Sequence, residues 1–322
     1  MYKRQILDGA GNLFGTTAGG LNPGTVFQLI PPTSVNGKWR AKVLHTFCLF
    51  FPCGDGDGIA PESGLIFDRA GNLYGTTVAG GAFGLGAVFE LSPSPTGNWT
   101  EKVIYSFRPF GTNDGTNPYG TLALDASGNL YGTTAFGGSK ALGTVFELTP
   151  QPDGTWTEAI LYNFCSLPSC SDGLQPHYGL VLDPSGNLYG VTPASSATSG
   201  GLVFKLTHDP SGNWTESVLH VLNGGSDGSL PSGELIFDAL GNLYGVAGGG
   251  GANNFGAAFE LKPSAGGWRE RVLYNFADSG DGSNPRGGLL LDKQGNLFGT
   301  ATQDNDPNNC SKGCGAVFEI VR

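Results

Sequence analysis

Short apolar runs separated by glycine-rich turns make up the chain from Ile6 onward. A typical unit opens with Leu65, Ile66 and Phe67, closes that triplet with Asp68, Gly71 and Asn72, and resumes with Leu73-Tyr74-Gly75-Thr76-Thr77. A triplet with no polar face suits an innermost strand packed on both sides. Aspartate can hydrogen-bond the backbone ahead of it and Gly-Asn tolerates positive φ, so D-x-x-G-N predicts a tight hairpin. A glycine-rich loop then leads to a third strand, GAVFEL, and a Pro/Gly/Asn turn leads to a fourth, WTEKVIYSF. With a period of two, Trp99, Glu101, Val103, Tyr105 and Phe107 share one face of that fourth strand.

The D-x-x-G-N phrase occurs six times, anchored at Asp8, Asp68, Asp125, Asp183, Asp238 and Asp292, a period of about 54 to 60 residues. Matches to the fourth strand begin at Trp39, Trp99, Trp156, Trp214 and Trp268, whereas the sixth unit stops at AVFEIVR. Four antiparallel strands per unit is the signature of a propeller blade. The predicted fold is all-β: a β-propeller of about six four-stranded antiparallel blades, starting near residues 6, 65, 122, 180, 235 and 289, with the last blade lacking its outer strand. Residues 6–322 are expected to form this single domain, with six blades a lower bound. Met1-Tyr2-Lys3-Arg4-Gln5 does not fit the repeat and reads as a translated transposon sequencing adapter. Residues 1–5 are therefore expected to be an artefact standing where an upstream strand and a signal peptide were lost.

GNLYGTT, then GG, then G-[TA]-VFEL, then W-[TR]-E-x-[VI]-[LI]-Y-[SN]-F resembles the GloVer tandem repeats of the "choice-of-anchor" bacterial surface proteins, from Ile6 to Arg322. The resemblance implies export and attachment to the cell surface through a variable C-terminal anchor, although the chain ends at Arg322 without a sorting segment. That family is defined by its repeats and not by an activity. The hairpin phrase also resembles those of other propellers, some of them lactonases or lyases, but fold alone does not carry function across.

The formal net charge of −10, with no cluster of Lys and Arg, argues against nucleic acid and anionic membranes as partners. No apolar run approaches the roughly 20 residues that span a bilayer. The six cysteines fall in close pairs, Cys48–Cys53, Cys165–Cys170 and Cys310–Cys314, which reads as three local disulfides and an oxidising extracellular, cell-surface or periplasmic compartment. The first two pairs lie in loops from a fourth strand to the next first strand, and the third in a loop from a second to a third strand. In an antiparallel blade those connections leave from the same end, which also carries the long variable loops where binding residues concentrate.

Loops entering the next blade share D-G-x-x-P, beginning at Asp57, Asp114, Asp172, Asp227 and Asp281. Five similarly placed carboxylates could ring a channel mouth and hold Ca²⁺, which takes several oxygen ligands. Asp-Gly opening a turn before Pro explains the same phrase without a ligand. Glu101, Glu158, Glu216 and Glu270 recur too regularly for catalysis, and the same holds for the tryptophans. His45 and His220 take the tyrosine position of the fourth strand and read as structural. His177 is the best-placed general base, but no nucleophile or orienting carboxylate pairs with it by spacing. The non-repeated polar residues are few: His177, His208, Arg108, Glu62 and Arg286. The expected function is a monomeric, exported, non-enzymatic module that binds carbohydrate or protein on the disulfide-bearing face. The alternative is a lactonase- or lyase-type enzyme with a metal at the channel mouth.

Overall fold

In the computed structural model, residues 5–18, 24–34, 36–53, 56–109, 111–194, 200–277, 281–303 and 315–322 are described. Each D-x-x-G-N phrase folds around its own aspartate. Asp68 Oδ1 accepts hydrogen bonds from the backbone N–H groups of Ala70 (2.8 Å) and Asn72 (2.8 Å), and Oδ2 accepts from the Asn72 amide (2.7 Å) and the Tyr74 hydroxyl (3.3 Å). Gly71 sits at φ +89°, a conformation that costs glycine little. The same aspartate-to-asparagine bonds recur at Asp8, Asp125, Asp183, Asp238 and Asp292.

The turn places Ile66–Phe67 against Leu73–Thr77, which pairs with Ala87–Pro93, which pairs with Trp99–Ser106, all antiparallel. Phe89 lies across the second strand at Gly75, where an added Cβ would stand 2.5 Å from the Phe89 ring. That close approach explains the glycine of GNLYGTT, and Gly132 with Phe146 and Gly190 with Phe204 repeat it. In the fourth strand the register shifts between Val103 and Tyr105, so Ile104 has no cross-strand partner and is buried together with Tyr105. The bulge re-aims side chains away from strict alternation, and it recurs in the outer pairings of four other blades.

Six antiparallel sheets built this way make the chain a six-bladed β-propeller. It divides into two compact units, Met1–Asn163 and Phe164–Arg322, each holding three of the sheets. In the first unit, Phe107, Leu122, Leu130, Phe146 and Leu148 form a buried cluster, with Trp156 packed against it. In the second, Tyr189, Leu235, Leu243, Phe259 and Leu261 do the same, with Trp268 at their margin. Trp99, Trp156 and Trp268 lie against the preceding blade, each meeting a second-strand ring there, Phe14, Tyr74 or Tyr189, edge-on.

The sixth sheet pairs Leu290–Leu291, Leu297–Gln303 and Ala316–Ile320 in the same order, with Ser283–Pro285 added along the second of them, and among the described residues no strand of the W-x-E type covers its outer side. Its third strand, Ala316–Ile320, is outermost, and Val317 is 80% exposed. No helix among the described residues is long and apolar enough to cross a membrane.

Candidate functional site

The D-G-x-x-P aspartates close their own loops. Asp114 is buried, and its Oδ2 accepts from the Tyr105 hydroxyl (2.7 Å) and the Arg108 backbone N–H (2.9 Å). Asp281 repeats this with Tyr274 (2.7 Å) and the Ala277 N–H (2.9 Å). Asp172 accepts from the N–H groups of Ser166 and Leu167, and Asp227 from that of Asn223. Asp57 accepts from the Gly58 N–H (2.6 Å), and its Oδ2 lies 3.1 Å from His45 Nε2.

Each of four aspartates also meets the glutamate of the next blade's W-x-E phrase. Burial, and after it the charge of Asp114, push the Glu158 carboxyl up to about 7. Burial and Asp172 do the same to Glu216, also to about 7, and burial and Asp227 raise Glu270. Asp57, His45 and Glu101 bring one ligand atom apiece to within 4.8 Å of one another. The regular spacing of W-x-E reflects this pairing across the blade junction as well as packing. The signal was available in the sequence, because the distance from aspartate to partner glutamate is nearly constant along the chain.

Two of the predicted cysteine pairs form disulfides, Cys48–Cys53 and Cys165–Cys170, each in a loop that leads from a fourth strand into the next blade. The third pair, Cys310–Cys314, lies outside the described residues.

In the second unit a cavity of about 160 Å³ gathers unlike residues from successive blades. Tyr178 and Pro193 come from the first of them, Leu230, Pro231, Ser232 and Gly248 from the next, and Asn284 and Arg286 from the last. It opens where the fourth-to-first and second-to-third connections emerge. Arg286 Nε donates to Asn284 Oδ1 (3.2 Å), and Ser232 Oγ donates to the Pro285 carbonyl (2.7 Å). Burial raises the Tyr178 phenol, and the Arg286 charge opposes that shift.

Residues 2–169 and 159–321 each match the Gloeobacter/Verrucomicrobia repeat. The chain belongs to that family. No curated protein matches this Gloeobacter/Verrucomicrobia repeat chain. Among solved structures it is similar to a proposed oxidoreductase (glucose dehydrogenase) of Thermus thermophilus, at 16% identity and TM-score 0.55, covering 99% of this chain and 96% of that one. It is also similar to a proposed 6-phosphogluconolactonase of Bacteroides fragilis NCTC 9343, at 17% identity and TM-score 0.59, covering 96% and 77%. A protein of unknown function from Dyadobacter fermentans DSM 18053 aligns at 12% identity and TM-score 0.55, covering 99% and 93%. At these identities the likeness shows the propeller fold and no activity.

His177, the base singled out in the sequence, does not line the cavity beside its neighbour Tyr178. Its Nδ1 lies 2.6 Å from the Gln175 carbonyl, and burial lowers its pKa. Arg286 is the non-repeated polar residue that the structure does bring into the cavity. Tyr178 and Asn284 were missed by sequence reading, because neither stands out until three successive blades are brought together.

Proposed function

We propose that this repeat propeller is an exported, non-enzymatic binding module, and that the cavity between Tyr178 and Arg286 receives one sugar unit of a carbohydrate chain. The carrying observation is that unlike groups converge there: an aromatic ring, a guanidinium, a side-chain amide and a hydroxyl. A phenol and an apolar wall of Pro193, Leu230 and Pro231 offer a sugar an apolar face, while Arg286, Asn284 and Ser232 offer polar groups to its hydroxyls. A volume of about 160 Å³ is below the roughly 300–1,000 Å³ of sites for drug-sized ligands, which suits one ring of a longer chain. The two disulfides support an oxidising compartment such as the cell exterior or periplasm. The glucose dehydrogenase and lactonase descriptions belong to proteins similar at only 16% and 17% identity, and among its described residues the cavity is lined by groups suited to holding a sugar.

Glycan-array screening of the oxidised protein, followed by calorimetric titration of the hits, tests the reading. Saturable binding weakened at least tenfold by both Arg286→Ala and Tyr178→Ala is expected. Absence of binding across neutral and acidic glycans, or binding indifferent to both substitutions, overturns it.

A further inference from the structure

The junction between the first and second blades has a donor set that the tyrosine-bearing junctions lack. His45, near the end of the strand Arg40–Thr46, Asp57 in the loop that follows, and Glu101 in the next blade's strand Trp99–Ser106 converge from three separate segments. Their ligand atoms lie within 4.8 Å of one another, and among the described residues no other group of three or more His, Cys, Asp and Glu meets that spacing. His45 Nε2 and Asp57 Oδ2 are already 3.1 Å apart. That is close to the edge of about 3.3 Å that metal–ligand bonds of roughly 2.0–2.1 Å impose on a tetrahedral site. Glu101 reaches the same point through three rotatable bonds.

We propose that His45, Asp57 and Glu101 form a binding site for a single divalent transition-metal ion, best matched by Zn²⁺, that clamps the first blade to the second. Three observations argue for it. The first is chemical: at the equivalent junction the Tyr105 hydroxyl donates a hydrogen bond to Asp114 and occupies a carboxylate lone pair, whereas an imidazole nitrogen in that place can present a lone pair of its own. The second is positional: the His45 ring meets the Phe47 ring edge-to-face at 4.7 Å, which restricts the orientation of the ligand before any ion arrives. The third is electrostatic: one divalent cation would neutralise the carboxylates of Asp57, which is buried, and Glu101, which is half-buried.

The ligand types choose the metal. Ca²⁺ and Mg²⁺ take oxygen ligands, whereas a mixed set of one imidazole nitrogen and two carboxylates suits Zn²⁺ and its first-row neighbours. Three protein ligands leave a coordination position for water. The junction between the fourth and fifth blades repeats the residue types, but His220 Nε2 stands 3.4 Å from Asp227 Oδ2, and with Glu270 the three do not meet the same spacing. The stoichiometry expected is therefore one ion per chain.

The test strips the full-length oxidised protein with a chelator and titrates it with ZnCl₂ by calorimetry, with CaCl₂ as comparison and CoCl₂ as a spectroscopic probe. Saturable binding of one Zn²⁺, a rise in melting temperature and visible Co²⁺ absorption bands of a four- or five-coordinate ion are expected. The decisive variant is His45→Tyr, which installs the residue used at the equivalent junction and so keeps the fold. It should weaken Zn²⁺ at least tenfold and abolish the Co²⁺ bands while leaving the circular dichroism spectrum unchanged. Glu101→Gln is the second variant, with the same expected loss. No Zn²⁺ binding by the wild-type chain, affinity and Co²⁺ bands unaltered in both variants, or Ca²⁺ binding as tightly as Zn²⁺ would each overturn the assignment.

Discussion

The first and second blade junctions of the first unit use one frame for two chemistries. In both, the fourth strand ends in an aromatic pair, His45 with Phe47 or Tyr105 with Phe107, and the phenylalanine packs edge-to-face on the next blade's Phe89 or Phe146. In both, an aspartate in the following loop turns back to the first member of the pair, and a glutamate of the next blade approaches it. Tyrosine closes the set by donating a hydrogen bond, whereas the histidine nitrogen in its place can serve as a donor or as a ligand. Repetition fixes the geometry, and a single position within it is free to set the chemistry.

The largest effect tests the shared frame. Phe47→Ala and Phe107→Ala each empty a site that is at most 2% exposed. Each should cost about 3–5 kcal/mol by transfer and cavity terms, read as matching falls in the urea midpoint. A much smaller loss for Phe47→Ala would show that the two junctions do not share a core.

Asp114→Ala comes next. It strands the buried Tyr105 hydroxyl and the Arg108 N–H. A loss of about 2–3 kcal/mol is expected in chemical denaturation, since a buried donor left without its acceptor costs about 1–3 kcal/mol. Tyr105→Phe removes a donor instead of an acceptor and should cost about 1 kcal/mol. If the two substitutions cost the same, the aspartate serves the tyrosine alone and not the loop.

The loops themselves differ, because Cys48–Cys53 staples the segment between His45 and Asp57, while no cysteine lies between Tyr105 and Asp114. Cys48→Ser with Cys53→Ser should lower stability by about 2 kcal/mol or less, the entropy of a small closed loop. Hydrogen exchange should speed up between residues 47 and 58 and stay unchanged between residues 106 and 115. Equal acceleration in both loops would mean that the disulfide supports more than its own junction.

What the sequence disclosed follows from the same repetition. The blade, its hairpin aspartate and its glycine–phenylalanine contact are local, and each is written into six consecutive units, so chain order alone exposes them. The aspartate–glutamate pairing joins neighbouring blades, and it is legible only as a near-constant spacing between Asp57, Asp114, Asp172 and Asp227 and their partners Glu101, Glu158, Glu216 and Glu270. That spacing passed for packing because all four copies look alike. The cavity at Tyr178 and Arg286 has no such trace, since its residues come from unlike positions of three blades and meet only in the fold. The reading of the D-G-x-x-P aspartates as loop closers rests on hydrogen bonds at each of the five, from their own loop or the strand before it.

The smallest expected effect is also the one that separates the two junction types by pH. Glu158 has a folded-state pKa of about 7 against an ordinary 4.5, because burial and the Asp114 charge oppose its ionisation. The folded state therefore holds the Glu158 proton more tightly than the unfolded chain does. The stability this gives is present below pH 4.5, declines between pH 4.5 and 7 as the unfolded chain ionises first, and is gone above pH 7. Glutamine imitates the protonated form, so Glu158→Gln should leave the melting temperature unchanged near pH 4.5 and raise it near pH 8. The gain is about 1 kcal/mol once the shift is discounted for the partial solvent exposure of the group. Glu216→Gln should behave alike in the second unit, where burial and Asp172 hold that carboxyl at about 7. Combining Glu158→Gln with Asp114→Asn isolates the charge: burial is the larger cause, so the gain at pH 8 should shrink and not vanish. A gain that survives in full with Asp114 neutralised would assign the whole shift to burial, and the tyrosine junction would then be an apolar contact instead of a coupled pair of carboxyls.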